Sequence, residues 1–158
     1  MICCNVPHSI TMKDEFTTFD IEKILEIKRN CIQPWLDGGF VNPSIQRATR
    51  RGTKNLFSRD DLYKIRLFQL LLDSGISRKE SGMYSNGLTF KNIGHGADDF
   101  KYALYVRHKI NIERESGMWA SSRLSKEAPK IVLGEHDVYA FVVNLVPIKD
   151  EVDRLLME

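Results

Sequence analysis

From Asp20 onward the apolar residues fall into helical spacings before they switch to alternation. Ile21, Ile24 and Leu25 sit at i, i+3 and i+4 behind Asp20, which is placed to cap a short first helix. Ile32, Trp35 and Leu36 repeat the spacing and predict a second short helix from Arg29 to Leu36. Pro34 suits that helix only in its first turn, where a missing N–H needs no partner. Gly38-Gly39 ends the helix, because glycine accepts the left-handed conformation. Phe40 to Phe57 predicts a hairpin turning at Arg51-Gly52, its base held in the core by Ile45, Leu56 and Phe57. Ser58-Arg-Asp-Asp61 then opens a long helix as a capping box. Leu62, Ile65, Phe68, Gln69 and Leu72 mark one face of it, and Leu67, Leu70 and Leu71 a second apolar stripe. A helix apolar on two sides needs two partners. It closes near Ser74-Gly75, and Ser77 to Tyr84 predicts another short helix.

After Gly87 the period changes to two. Lys101 to Ile112 predicts a strand with Leu104, Val106, His108, Ile110 and Ile112 on one face. Lys130 to Leu133 is short and apolar, and Val138 to Val146 is nearly continuous, as in a central strand covered on both sides. Glu135-His136-Asp137 is the turn between them, and Pro147 opens a terminal helix carrying Ile148, Val152, Leu155 and Leu156. The fold class predicted is α+β. A flexible tail (1–16) leads into a winged helix-turn-helix (17–86). A small mixed α/β domain with a short sheet and a terminal helix follows (87–158).

Composition narrows the class. The chain has 158 residues, 42% of them hydrophobic and 28% charged, as in globular proteins. No apolar run approaches the ~20 residues of a membrane span, and the first residues lack the pattern of a signal peptide. A cytoplasmic location and no membrane partner are therefore expected. The three cysteines, Cys3, Cys4 and Cys31, make no disulfide framework. Cys3 and Cys4 with His8 are a weak candidate for a soft metal, Cys31 is expected to pack as a small apolar residue, and no cofactor is expected. His95, His108 and His136 lack ligand spacing. Gly94-His-Gly96 lacks the phosphate-loop pattern. Glu113-Arg-Glu115 reads as a charged turn. No nucleophile–base pair of the triad kind is visible, so an enzyme is not expected.

Charge changes the picture more. Residues 28 to 58 hold Lys28, Arg29, Arg47, Arg50, Arg51 and Lys54 against Asp37 alone. Six cations against one acid leave this segment at +5 in a chain of net +2, so the remainder is net acidic. A local basic patch on a near-neutral protein is the footprint of a specific DNA reader.

Five blocks in order carry a family resemblance. They are Cys31-Ile-Gln-Pro-Trp35, Gly39-Phe-Val-Asn-Pro43, Lys54-Asn-Leu-Phe-Ser58, Asp61-Leu62 and Gly75-Ile-Ser77. Over this stretch the chain resembles the MerR family of bacterial transcription regulators. Gln33 stands where that family usually has Arg, and Pro34 where it has an aromatic. The hairpin is longer than usual, and neither the long dimerisation helix nor the metal-binding cysteines of the family follow. The resemblance implies a winged helix-turn-helix that binds double-stranded DNA as a homodimer on paired half-sites. On that fold Lys28, Arg29, Asn30 and Gln33 are the groove candidates of the second helix. Asn and Gln can pair bidentately with adenine, and Arg with guanine. Arg47, Arg50, Arg51 and Lys54 belong to the wing and suit phosphates. The dimer contact is expected from the Val138–Val146 sheet and the Leu67, Leu70 and Leu71 stripe.

Other readings stay open on the sequence. One is a small-molecule sensor with an effector pocket of Trp119, Tyr102, Tyr105 and Tyr139. Others are an enzyme using the C-terminal histidines, a protein-interaction module whose cationic face is only solvated, and an excisionase-like architectural DNA protein.

Overall fold

The structure, a computed structural model, describes residues 14–112, 115–133 and 137–158. These form an α+β arrangement of five helices and two small antiparallel sheets. The order is β1 (Phe16–Thr17), α1 (Thr18–Leu25), α2 (Arg29–Asp37), β2 (Leu56–Phe57), α3 (Arg59–Asp73), α4 (Arg78–Asn86), β3 (Tyr102–Ile112), β4 (Glu115–Ser125), β5 (Asp137–Asn144) and α5 (Val146–Leu155). A 3-10 turn lies at Phe90–Asn92. Most of the expected tail, with Cys3, Cys4 and His8, lies outside the described residues, as do Glu113, Arg114, Glu135 and His136.

Phe16 departs from the tail expectation. It is 2% exposed and pairs with Phe57, so the chain is drawn into the core before the first helix. That strand moves the helix start back. Thr17, not Asp20, is the N-cap: its side chain accepts from the Asp20 N–H, and the Asp20 carboxylate accepts from the Thr17 N–H at 2.7 Å. The same reciprocal box opens α3, between Ser58 and Asp61. Asp61 is itself 2% exposed, yet fully employed. It also accepts from the Ser44 N–H at 2.9 Å and the Ser44 hydroxyl at 2.6 Å, stitching residues 42–44 to the start of α3.

The second stripe of α3 is largely consumed within the chain. Leu67 and Leu71 are buried, leaving only Leu70 exposed. The helix needs two partners and has them: α4 and α1 pack on it from one half of the chain, α5 from the other. One continuous hydrophobic cluster runs from Phe16 to Val152, with buried side chains from both sides of residue 87.

The larger sheet has the order β4-β3-β5, antiparallel throughout. Four expectations change here. β4 was not anticipated, since Glu115 to Ser125 is mostly Ser, Gly, Arg and Glu, and its order comes from pairing with β3 rather than from its own pattern. Lys130–Leu133 forms no strand, because β4 and β5 already occupy both sides of β3; Val132 is exposed. β5 lies at an edge, not at the centre. The buried face of β3 is Ala103 and Tyr105 rather than Leu104 and Val106, which are half-buried. The rings of Tyr105, Tyr139 and Phe141 sit on that inner face and pack on one another, while Tyr102 alternates to the other face. Tyr105 lies 4.4 Å from Tyr84 and 5.0 Å from Phe141, ring centre to ring centre. They fill space rather than line it, and burial pushes the Tyr105 hydroxyl pKa up, so it stays neutral. The side chains of His108 and Trp119 lie outside the described part.

Candidate nucleic-acid interface

The short helix α2 presents two faces. Ile32, Trp35 and Leu36 are buried, with the Trp35 ring edge-on to Phe68 at 5.0 Å, while Arg29, Asn30, Gln33 and Pro34 are exposed. Pro34 is not in the first turn as expected but sixth in the helix. The helix tolerates it because it is short and is locked at its end. Gly39 is left-handed at φ 69°, the Phe40 N–H reaches the Trp35 carbonyl at 2.9 Å, and the Gly39 N–H reaches Leu36 at 3.0 Å. This paired closure satisfies two of the last carbonyls. Lys28 sits at the N-cap without a side-chain bond. Cys31 is exposed, contrary to expectation, because the inward positions go to Ile32 and Trp35.

The hairpin that follows is held by few bonds. Gln46 bridges Leu56, the Thr53 N–H closes the turn on Arg50 at 3.1 Å, and Gly52 takes φ 92° at its tip. Thr53 and Asn55 side chains supply the bonds a longer ladder would give, to the Thr49 and Ala48 N–H groups. Ile45, expected in the core, is 43% exposed, because Val41 and Phe57 fill the space beneath the hairpin base.

All eight residues singled out in the sequence are exposed, and they do not serve alike. Arg29, Gln33 and Lys54 line one groove of about 520 Å³ between α2 and the hairpin, together with Thr17, Thr18 and Phe19 at the start of α1. Arg47 turns back instead: its guanidinium donates to the Leu36 carbonyl at 3.1 Å, tying the hairpin to the end of α2. Arg50 and Arg51 stand at the tip. Gln33 donates to Asp37 at 2.9 Å, which leaves its carbonyl oxygen and one N–H for other partners. Arg29 and Glu22 face each other at 4.0 Å, both well exposed, a pairing of little energy.

Thr18, Phe19 and Asn55 belong to the groove but were not among the expected residues. The Thr17-x-x-Asp20 box was the available signal. It would have set the helix start three residues earlier and brought Phe19 to the helix tip.

Behind this surface, α5 is locked to α3 by charge. Asp153 accepts from Tyr63, from Arg59 at 2.8 Å and from Lys149 at 3.0 Å, and Arg66 pairs with Glu151. Burial pushes the Asp153 carboxyl up, but these donors outweigh it and hold it below its ordinary value. The Tyr63 phenol is pushed up to about 12, first by burial and then by Asp153. His95 meets Asp150 at 3.1 Å on the surface. Among the described residues no cluster of His, Cys, Asp and Glu could hold a metal ion, and no helix is long and apolar enough to cross a membrane. No protein-family model and no curated protein matches the chain, so the likeness to MerR regulators rests on the motif residues alone.

Proposed function

We propose that this protein binds double-stranded DNA sequence-specifically as a transcription regulator of MerR type, with α1 and α2 as the helix-turn-helix and residues 45–56 as its wing. The observation that carries the reading is the shared groove. Arg29 and Gln33 of α2 and Lys54 of the hairpin line one trough, and Arg50 and Arg51 stand at the tip of the same hairpin. The helix supplies donors and an acceptor of the kind that read base edges, and the hairpin supplies charge for phosphates. A single such unit covers little surface, so the proposed form is a homodimer on paired half-sites. With Leu67 and Leu71 buried, the outer sheet face of Leu104, Val106, Ala140 and Val142 is its proposed contact. A monomeric sedimentation mass at high micromolar concentration would remove the dimer.

The test is fluorescence anisotropy on duplex DNA across a salt series, beside an Arg50→Ala/Arg51→Ala variant. Wild-type affinity should fall steeply with salt, and the variant's log–log slope should be shallower by about 2, near one per lost phosphate contact. A folded wild-type protein that leaves duplex DNA unbound at low salt would overturn the reading.

One observation favours an effector in addition. A cleft of about 520 Å³ opens where α3 meets α5, lined by Arg59, Tyr63, Lys91 and Lys149 among others. Its three cations, Arg59, Lys91 and Lys149, stand against two acids, Asp60 and Asp153, an excess of one that suits a singly charged anionic small molecule. A raised melting temperature with one member of an anionic metabolite panel would support that, and no shift across the panel would leave DNA as the partner.

A further inference from the structure

Phe19 is a large apolar side chain that folding leaves half in water, at 50% exposure. Of the exposed large hydrophobic residues among those described, it is the one that lines the groove of Arg29, Gln33 and Lys54. Ile131, Val132 and Leu133 lie in the segment between β4 and β5, and Met157 at the C-terminus. The Lys23 ammonium, one helical turn on, stands 4.5 Å from the Phe19 ring centre. With that contact made, half of the Phe19 surface is still open to a ligand. An apolar surface set among cations is matched by a partner that carries negative charge and apolar patches together. Duplex DNA has such patches in two places, the thymine C5-methyl in the major groove and the deoxyribose carbons beside each phosphate.

We infer that Phe19 makes an apolar contact with the nucleotide seated in this groove, contributing affinity that does not depend on salt. The inference rests on the DNA-binding reading above. It divides the surface in two: Lys54, Arg50 and Arg51 supply attraction that salt screens, and Phe19 supplies burial that salt does not weaken.

The experiment compares wild type, Phe19→Ala, Phe19→Leu and Arg50→Ala/Arg51→Ala on a duplex selected from a randomised pool by the wild-type protein. The same duplex with deoxyuridine for thymidine removes the methyl groups alone. Phe19→Ala should bind about tenfold more weakly with an unchanged salt slope, Phe19→Leu should recover part of the loss, and both should melt as wild type does. Weaker wild-type binding to the deoxyuridine duplex, with Phe19→Ala indifferent to it, assigns the contact to the methyl. A wild type indifferent to the exchange assigns it to deoxyribose. Phe19→Ala binding as tightly as wild type, or a changed salt slope, overturns the inference while the DNA reading stands. Wild-type protein that selects and binds no duplex overturns both.

Discussion

Asp61 joins two segments through one side chain. Its carboxylate closes the α3 capping box and holds Ser44 by two bonds, all at 2% exposure. Removing it takes the acceptor from the part-buried Ser44 and Ser58 N–H groups and cuts the cap of α3, and each such loss costs about 1–2 kcal/mol. Asp61→Ala should therefore lower stability by about 2–3 kcal/mol in denaturant unfolding, with Asp61→Asn losing less because it keeps an acceptor oxygen. An Asp61→Ala midpoint equal to wild type would show that water takes over those donors. The box was visible in the sequence as Ser58-x-x-Asp61; the Ser44 partner was not, because it lies 17 residues away along the chain.

At the scale of the element, α2 carries a contradiction. Pro34 sits in its sixth position, where it removes one intrahelical bond, the one that would run to the Asn30 carbonyl. Its locked C-terminal end holds it nonetheless. Pro34→Ala restores that bond and improves helix propensity, against some gain in freedom of the unfolded chain. A stability gain of about 1–2 kcal/mol is expected in thermal unfolding; a loss would mean the ring fixes the helix by packing. The element scale is also where the sequence was most and least legible. Helices α1 to α5 announced themselves through 3.6-residue spacing, cap residues and paired glycines. β4 did not, since its residues have no alternation and are ordered by backbone pairing with β3. The burial phase of β3 was misread for a related reason. Over residues 102–106 both faces carry apolar or aromatic side chains, and which one turns inward is decided by where Tyr84 and Phe141 stand. Of the candidate site, the charges were legible and their arrangement was not. Nothing in the chain told Arg47, which binds a carbonyl, from Arg50 and Arg51 at the tip.

At the scale of the whole molecule, the two halves are joined by the Asp153 knot. Tyr63 is neutral when folded up to about pH 12, against about 10 for an ordinary phenol. A raised phenol pKa favours the neutral folded form, so this stability is complete below pH 10 and is lost as pH rises through the folded value near 12. The stability difference between wild type and Tyr63→Phe should be flat from neutrality to pH 10 and shrink above it. A difference that stays flat to pH 12 would mean that neither burial nor Asp153 raises the folded phenol. Asp153 has the opposite sense. Its depressed pKa adds stability that is present above the ordinary carboxylate value of 3.8 and lost as pH falls through the lower folded one.

The bond from Arg47 to the Leu36 carbonyl ties the hairpin to the end of α2, the two elements that form the walls of the groove. A hinge there would let the walls follow whatever duplex arrived; a tie makes them a calliper with a set opening. On the proposed function, such a calliper gauges the spacing of the sugar–phosphate strands as well as the bases between them. Tracts whose grooves already match the opening would then be favoured over equally charged tracts that must bend to fit.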